Sequence, residues 1–292
     1  MSTSTLHFLL AFCLLFLACD TKTINTLTNS DDPKVRLVGQ VIAAKRPVSE
    51  IPFEEERETG RSMAAMLLGS APLLRDAEVQ HYVNSLGRWI SLHSDRPNIP
   101  WHFGVIKTDD SNAFSLPGGY ILISTGLLKK LSSEAELACV LAHEIIHTQN
   151  RHHLTAFKRS SMAEYFKTEL NRATEASKNK DVTIKAANAT KGYLLEGFFE
   201  RGLDKKQEFE ADRHGVVLAA RAGYNPYAMA GVLQMLGSAN PKDSGMAQWF
   251  KTHPTPADRQ EQLEAAIGEH LEKYANAVDN NPRFLQILKR LP

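Results

Sequence analysis

Ser133-Glu134-Ala135-Glu136-Leu137-Ala138-Cys139-Val140-Leu141-Ala142-His143-Glu144-Ile145-Ile146-His147 is the stretch on which the fold turns. Ser133 followed three residues later by Glu136 is a capping box, the signature of a helix N-terminus. From Leu137 to Ala142 the run is apolar at every position, so the helix has no wet face and must lie in the core. Its far end carries the pattern H-E-x-x-H. Residues four apart on a helix lie about 40° apart around its axis, so His143 and His147 project side by side and can share one metal ion. Glu144 stands a step further round, placed to act as a base toward a water there without ligating the metal. Burying two histidines and a glutamate is costly unless something pairs with them, and a zinc ion would. The ordinary alternative is a pair of core histidines bonded to carbonyls.

A catalytic zinc site uses three protein ligands and leaves a position for water. Two residues compete to be the third. His153 lies ten residues after His143, the metzincin spacing, with Asn150 where that pattern has glycine; Asn tolerates the left-handed turn required there. The rival is Glu208 in Gln207-Glu208-Phe209-Glu210-Ala211-Asp212. Glu208 and Asp212 are four apart on an expected helix, so one carboxylate can ligate while the other accepts a hydrogen bond from the free ring nitrogen of a ligand histidine. Glu210 would point to nearly the opposite side. Alone, such an acidic run reads as a solvated face. Beside H-E-x-x-H ligation is favoured, because the site would otherwise lack an acidic partner.

Together, Ala142 to His147, Glu208 to Asp212 and the earlier Asn112-Ala113-Phe114-Ser115-Leu116-Pro117-Gly118-Gly119-Tyr120-Ile121 resemble peptidase family M48, the gluzincin zinc metallopeptidases, and most of all its bacterial envelope lipoprotein members. The resemblance runs from about Ile51 to Gln262. It implies one zinc ion per chain held by His143, His147 and Glu208, with Glu144 as catalytic base and Asp212 behind a ligand. Candidates by residue type for a second oxyanion donor are His253, Tyr224, His214 and Arg259. The resemblance favours His253, because Thr252-His253-Pro254 sits where the family has a loop over the metal. The same imidazole could instead block the open position as a switch ligand.

The rest of the chain sets the frame. An apolar run from Phe8 to Ala18 is too short to span a bilayer and suits a signal peptide, although no Lys or Arg precedes it. Ala18-Cys19 follows, resembling a lipoprotein signal with Cys19 lipidated. Asp20 after it favours the inner membrane in enterobacteria-like systems. The expectation is an exported protein on the periplasmic face of a bacterial membrane, inner or outer, attached through its N-terminal lipid. Residues 1–19 are then the signal, 20–50 a tether and N-terminal segment with Thr21 to Lys34 polar, and 51–292 the zinc metallopeptidase domain. Of three cysteines only Cys139 lies beyond the leader, so no internal disulfide is expected. Net charge is +1 with dispersed basic residues, which gives nucleic-acid binding no support.

Helical patterns cover Phe53 to Leu68 and Asp76 to His93, strand-like pieces cover Trp101 to Ile106 and Tyr120 to Ser124, and the remainder reads as helix. The fold class is α+β, mostly α: a zincin-like domain with a small β-sheet whose edge strand flanks the active-site helix. That edge is expected at Gly119, Tyr120, Ile121, Leu122 and Ile123, where an extended peptide would bind through its backbone with loose selectivity. The function that follows is hydrolysis of peptide bonds in unfolded or misassembled cell-envelope proteins, a form of protein quality control. Its rival is a non-proteolytic, metal-containing envelope chaperone or assembly lipoprotein, which would have no need of Glu144. An intramembrane protease would require several apolar spans, and none follows the leader.

Overall fold

The computed structural model describes Thr26 and residues 47–156, 203–239, 253–279 and 282–292. The signal run, Cys19 and, Thr26 apart, the tether Thr21 to Lys34 lie outside the described residues. The chain divides into two compact units, Met1–Ile51 and Pro52–Pro292. In the first, Val48–Glu50 form a single 3₁₀ turn. The second contains the sheet and the helices around it.

Helix α1 (Phe53–Ser70) begins after Pro52 with Glu54, Glu55 and Glu56 in its first turn, acidic residues where the positive end of the helix dipole favours them. Helix α2 (Ala77–Ser91) begins at Asp76, whose carboxylate accepts the Glu78 and Val79 N–H groups. It buries Val79, Tyr82, Val83, Leu86 and Ile90, the helical period read in the sequence. Three strands follow: β1 (His102–Ile106), β2 (Ala113–Leu116) and β3 (Tyr120–Ser124).

The sheet order is β1-β3-β2. β3 runs parallel to β1, with His102 opposite Tyr120, and antiparallel to β2, with Leu116 opposite Tyr120. Tyr120, Ile121, Leu122 and Ile123 therefore lie on the central strand, preceded by Gly119 in the turn, and the expected edge is corrected to β2. An uninterrupted apolar run marks a strand covered on both faces, and here it is paired on both sides as well. The outer side of β1 is occupied too: Leu74 donates to Val105 at 2.8 Å, and the Gln80 amide bonds both the N–H and the carbonyl of Val105. Between β2 and β3, Gly118 and Gly119 take φ of 77° and 98°. A Cβ on Gly118 would come within 2.5 Å of the Arg57 Cα, so only glycine lets α1 rest on this turn.

After the short α3 (Thr125–Leu128) comes α4 (Glu134–Gln149), buried almost throughout. Ser133 caps it by accepting the Glu136 N–H at 3.1 Å. The Glu136 carboxylate turns to the N–H and hydroxyl of Ser132 instead, so the box closes one residue early. At the same end Glu134 accepts the Tyr82 and Tyr224 hydroxyls. Cys139 is a buried free thiol whose pKa burial pushes up to about 12, an inert core group.

Against α4 pack α2, β2, α5 (Lys205–Arg221) and α6 (Ala228–Ser238). Beyond α6, α7 (Pro256–Ile267) lies on α5 and α6, a 3₁₀ stretch Gly268–Tyr274 follows, and α8 (Pro282–Leu288) inserts the fully buried Phe284. One buried carboxylate ties several of these pieces together. Glu56 of α1, 0% exposed, accepts two bonds from Arg96, one from the Gly118 N–H, and pairs with Arg151 at 2.9 Å. A charge buried this deeply is tolerated because its lone pairs are so fully occupied. Among the described residues no helix is long and apolar enough to cross a membrane.

Candidate metal centre

His143 and His147 lie one turn apart near the end of α4, 4% and 1% exposed, with their Nε2 atoms 2.9 Å apart. Helix α5 brings the third group. Asp204 caps it by accepting the Lys206 N–H at 2.9 Å, and Gln207 closes the box back onto Asp204. One and two turns on, Glu208 and Asp212 face α4. They come so near because of Gly215: a Cβ there would lie 3.1 Å from both the Cα and N of His143.

Glu208 places Oε2 at 3.6 Å from His143 Nε2 and Oε1 at 3.5 Å from His147 Nε2, and neither oxygen has a hydrogen-bond partner. A fully buried carboxylate whose oxygens make no hydrogen bond is costly to desolvate, even with Arg259 Nη1 4.0 Å from Oε2. One nitrogen from each histidine and one Glu208 oxygen lie within 4.8 Å of one another, a separation that suits a small cation with ligand distances of about 2 Å. Burial would raise the Glu208 carboxyl, yet His253, His143 and Arg259 around it hold it down at about 2. The donor set, two imidazoles and one carboxylate, fits a metal. His153, the rival third ligand, is outside it.

The other ring nitrogens are engaged as well. His143 Nδ1 is 2.9 Å from Asp212 Oδ1, and the Asp212 carboxylate is held by Arg259 of α7 through bonds of 2.6 and 2.8 Å. Burial opposes charge on Asp212, but Arg259 keeps it well below the usual carboxylate range. His143 remains raised to about 9 against its burial, through Asp212 and Glu208. His147 Nδ1 lies 3.0 Å from His152 Nδ1. Burial and the neighbouring histidines press His147 well below its ordinary value.

Glu144, 5% exposed, accepts the Ser115 hydroxyl at 2.6 Å. Burial raises its carboxyl, as a base working near neutrality needs. His253 reaches the site: its Nε2 is 3.8 Å from Glu208 Oε2 and its ring 6.5 Å from that of His143. A cavity beside the centre is lined by His143, Glu144 and His253 together with the apolar Leu127, Val140 and Met229.

Of the other donor candidates, Tyr224 is at the far end of α4 on Glu134 and His214 is exposed. Arg259, proposed by type alone, proves to be the partner of Asp212. Three further expectations are corrected. His153, which the family resemblance would leave continuing along an exposed helix, is instead half-buried, its ring 5.3 Å from that of His147. Glu210 does not face away: it accepts the Asn150 amide at 2.7 Å. The left-handed residue after α4 is Arg151, with φ 56°, not Asn150. Ser115 and His152 went unnoticed in the sequence. Ser115 lies inside a recognised motif, but nothing local shows which face of a strand meets Glu144.

A sequence model of peptidase family M48 matches residues 74–267. The chain is 30% identical over 214 residues to the beta-barrel assembly-enhancing protease of Escherichia coli (strain K12), covering 72% of this chain and 43% of that protein. It is 31% identical over 180 residues to the mitochondrial metalloendopeptidase OMA1 of Danio rerio, covering 60% and 37%. The matched part thus spans less than half the length of these curated relatives.

Proposed function

The chain belongs to peptidase family M48 and carries its metallopeptidase domain, and from that premise we propose that it is a zinc-dependent metalloendopeptidase that cleaves unfolded or misassembled cell-envelope proteins. The observation that supports this most is the buried Glu208, both oxygens without a hydrogen bond, facing the Nε2 atoms of His143 and His147. These three residues would hold the zinc ion, one per chain. When bound, such an ion supplies a Lewis acid and lowers the pKa of a water toward about 7.

The chain's own groups do the rest. Glu144 takes the proton of the attacking water and hands it to the departing amine, with Ser115 fixing one of its oxygens. Asp212 accepts the Nδ1 proton of His143, which turns the Nε2 lone pair toward Glu208. Arg259 neutralises Asp212, so the second carboxylate adds no net charge beside the first. An extended substrate would pair with β2, the sheet edge that carries Ser115 beside Glu144. Backbone pairing of that kind reads little sequence and suits an enzyme that removes misassembled proteins. The bacterial relatives are named for β-barrel assembly, which supports a cell-envelope substrate. Lipidation of Cys19 on the periplasmic face of the membrane completes the proposal.

The test compares wild type with Glu144→Gln for zinc content and casein cleavage. The variant should keep its zinc and lose cleavage, since it removes a base and no ligand. His143→Ala, His147→Ala and Glu208→Ala should lose both. Full cleavage by Glu144→Gln would defeat the assignment.

A further inference from the structure

The two candidate ligand histidines are backed by unlike groups. Behind His143 stands the charged pair Asp212 and Arg259; behind His147 stands another imidazole, His152, 5% exposed, with Nδ1 facing Nδ1 at 3.0 Å. Two ring nitrogens at that distance share one proton: one donates and the other accepts. His147 turns its Nε2 toward Glu208 and His143, and an imidazole that offers the Nε2 lone pair carries its proton on Nδ1. His152 Nδ1 must then be the acceptor, and the proton of His152 sits on Nε2. On that side Glu210 Oε2 lies 3.8 Å away, and the other oxygen of Glu210 is engaged by Asn150.

The backbone is arranged for this contact. On an unbroken helix a residue five positions after His147 would lie about 140° around the axis from it. Instead α4 ends at Gln149, Arg151 takes the left-handed conformation, and helix resumes at 152–156, which returns His152 to the His147 ring. Side chains rarely adopt that conformation. Arg151 is held in it beside the buried Glu56.

We propose that His152 is a positioning residue for His147: as a neutral acceptor it fixes the proton of His147 on Nδ1 and aims the Nε2 lone pair at the metal. This rests on the metal reading of His143, His147 and Glu208. It gives the two ligands different support, one backed by a carboxylate and the other by an uncharged ring.

The experiment uses the full chain and Co2+ as probe, with affinity read by chelator competition and geometry by the visible spectrum. His152→Asn keeps an acceptor oxygen near the place of Nδ1, whereas His152→Leu has nearly the same shape and no acceptor. The Leu variant should bind Co2+ about 10- to 100-fold more weakly, the size expected for loss of a ligand's hydrogen-bond partner. The Asn variant should stay within a few-fold of wild type and keep its spectrum. Equal binding by the two variants, whether tight or weak, would overturn the proposal. Independently of any variant's folding, side-chain 15N spectra of the zinc-loaded wild type should show His152 protonated on Nε2 and bare on Nδ1. The reverse tautomer would also overturn it. Failure of wild type itself to bind Co2+ would instead strike at the metal reading.

Discussion

His253 is the residue on which catalysis and restraint lead to opposite outcomes. Pro254 stiffens its backbone and its ring stands within reach of Glu208. In one role it is a fourth, exchangeable ligand that keeps a protease of loose selectivity latent; in the other it donates to the developing oxyanion. His253→Ala should raise basal casein cleavage in the first case. In the second, kcat should fall by about 100- to 1000-fold, the usual loss for one oxyanion donor. Unchanged kinetics would remove both roles. Arg259 bears on a different property, because its loss would leave the buried, charged Asp212 with only the His143 ring beside it. Arg259→Leu should destabilise the chain by about 3–5 kcal/mol, measured by urea unfolding, while a residue with only a surface partner would cost under about 1 kcal/mol.

Among the elements, the approach of α5 to α4 decides whether the three candidate ligands can meet. Gly215→Ala would place a methyl carbon 3.1 Å from His143 backbone atoms, which cannot swing aside as a side-chain tip would. The helices should part by a few tenths of an ångström, costing about 1–3 kcal/mol and weakening zinc retention during dialysis against a chelator; unchanged retention would show that the close approach is not needed. At the start of α2, Arg290 and the Val79 and Glu78 N–H groups hold the Asp76 carboxyl below its ordinary 3.8. A group lowered by folding contributes stability that is present above its unfolded pKa and lost as pH falls through its folded one. The difference in melting temperature between wild type and Asp76→Asn should therefore be full at pH 7 and shrink below about pH 4. A difference that persists at pH 2 would assign the effect to shape. What could be read from sequence divides along similar lines. The buried helix with H-E-x-x-H, the Glu208 helix and the strands at 102–106 and 120–124 were legible because periodicity and caps are local. β2 was not: Ala-Phe-Ser-Leu is short, and its partner is fixed by a glycine turn resting on α1. His152 was hidden as well, since its contact depends on a left-handed arginine that propensity does not foresee.

At the scale of the whole molecule, the stretch that matches the family and the stretch that folds are not the same. The match covers residues 74–267, but the compact unit is Pro52–Pro292. What lies outside the match is structural. Upstream, Glu56 supplies the carboxylate for Arg96, Arg151 and the Gly118 N–H; without α1 two arginines at the rear of the site lose their counter-charge. Downstream, Phe284 is fully buried, 6.4 Å from the Tyr82 ring, and Ile287 lies beside it in the same core. Truncating one such aromatic costs about 3–5 kcal/mol, already a large share of the roughly 5–15 kcal/mol by which a domain is stable. A fragment of residues 74–267 forfeits both contributions and should show no cooperative melt, with or without zinc. Residues 52–292 should melt as one transition, raised by zinc because an ion held by His143, His147 and Glu208 would bind only the folded chain. Cooperative, zinc-sensitive melting of the shorter fragment would mean that α1 and α8 decorate the fold rather than complete it. The turn at Gly118, the left-handed Arg151 and the ring of His152 would then have to hold their places without Glu56.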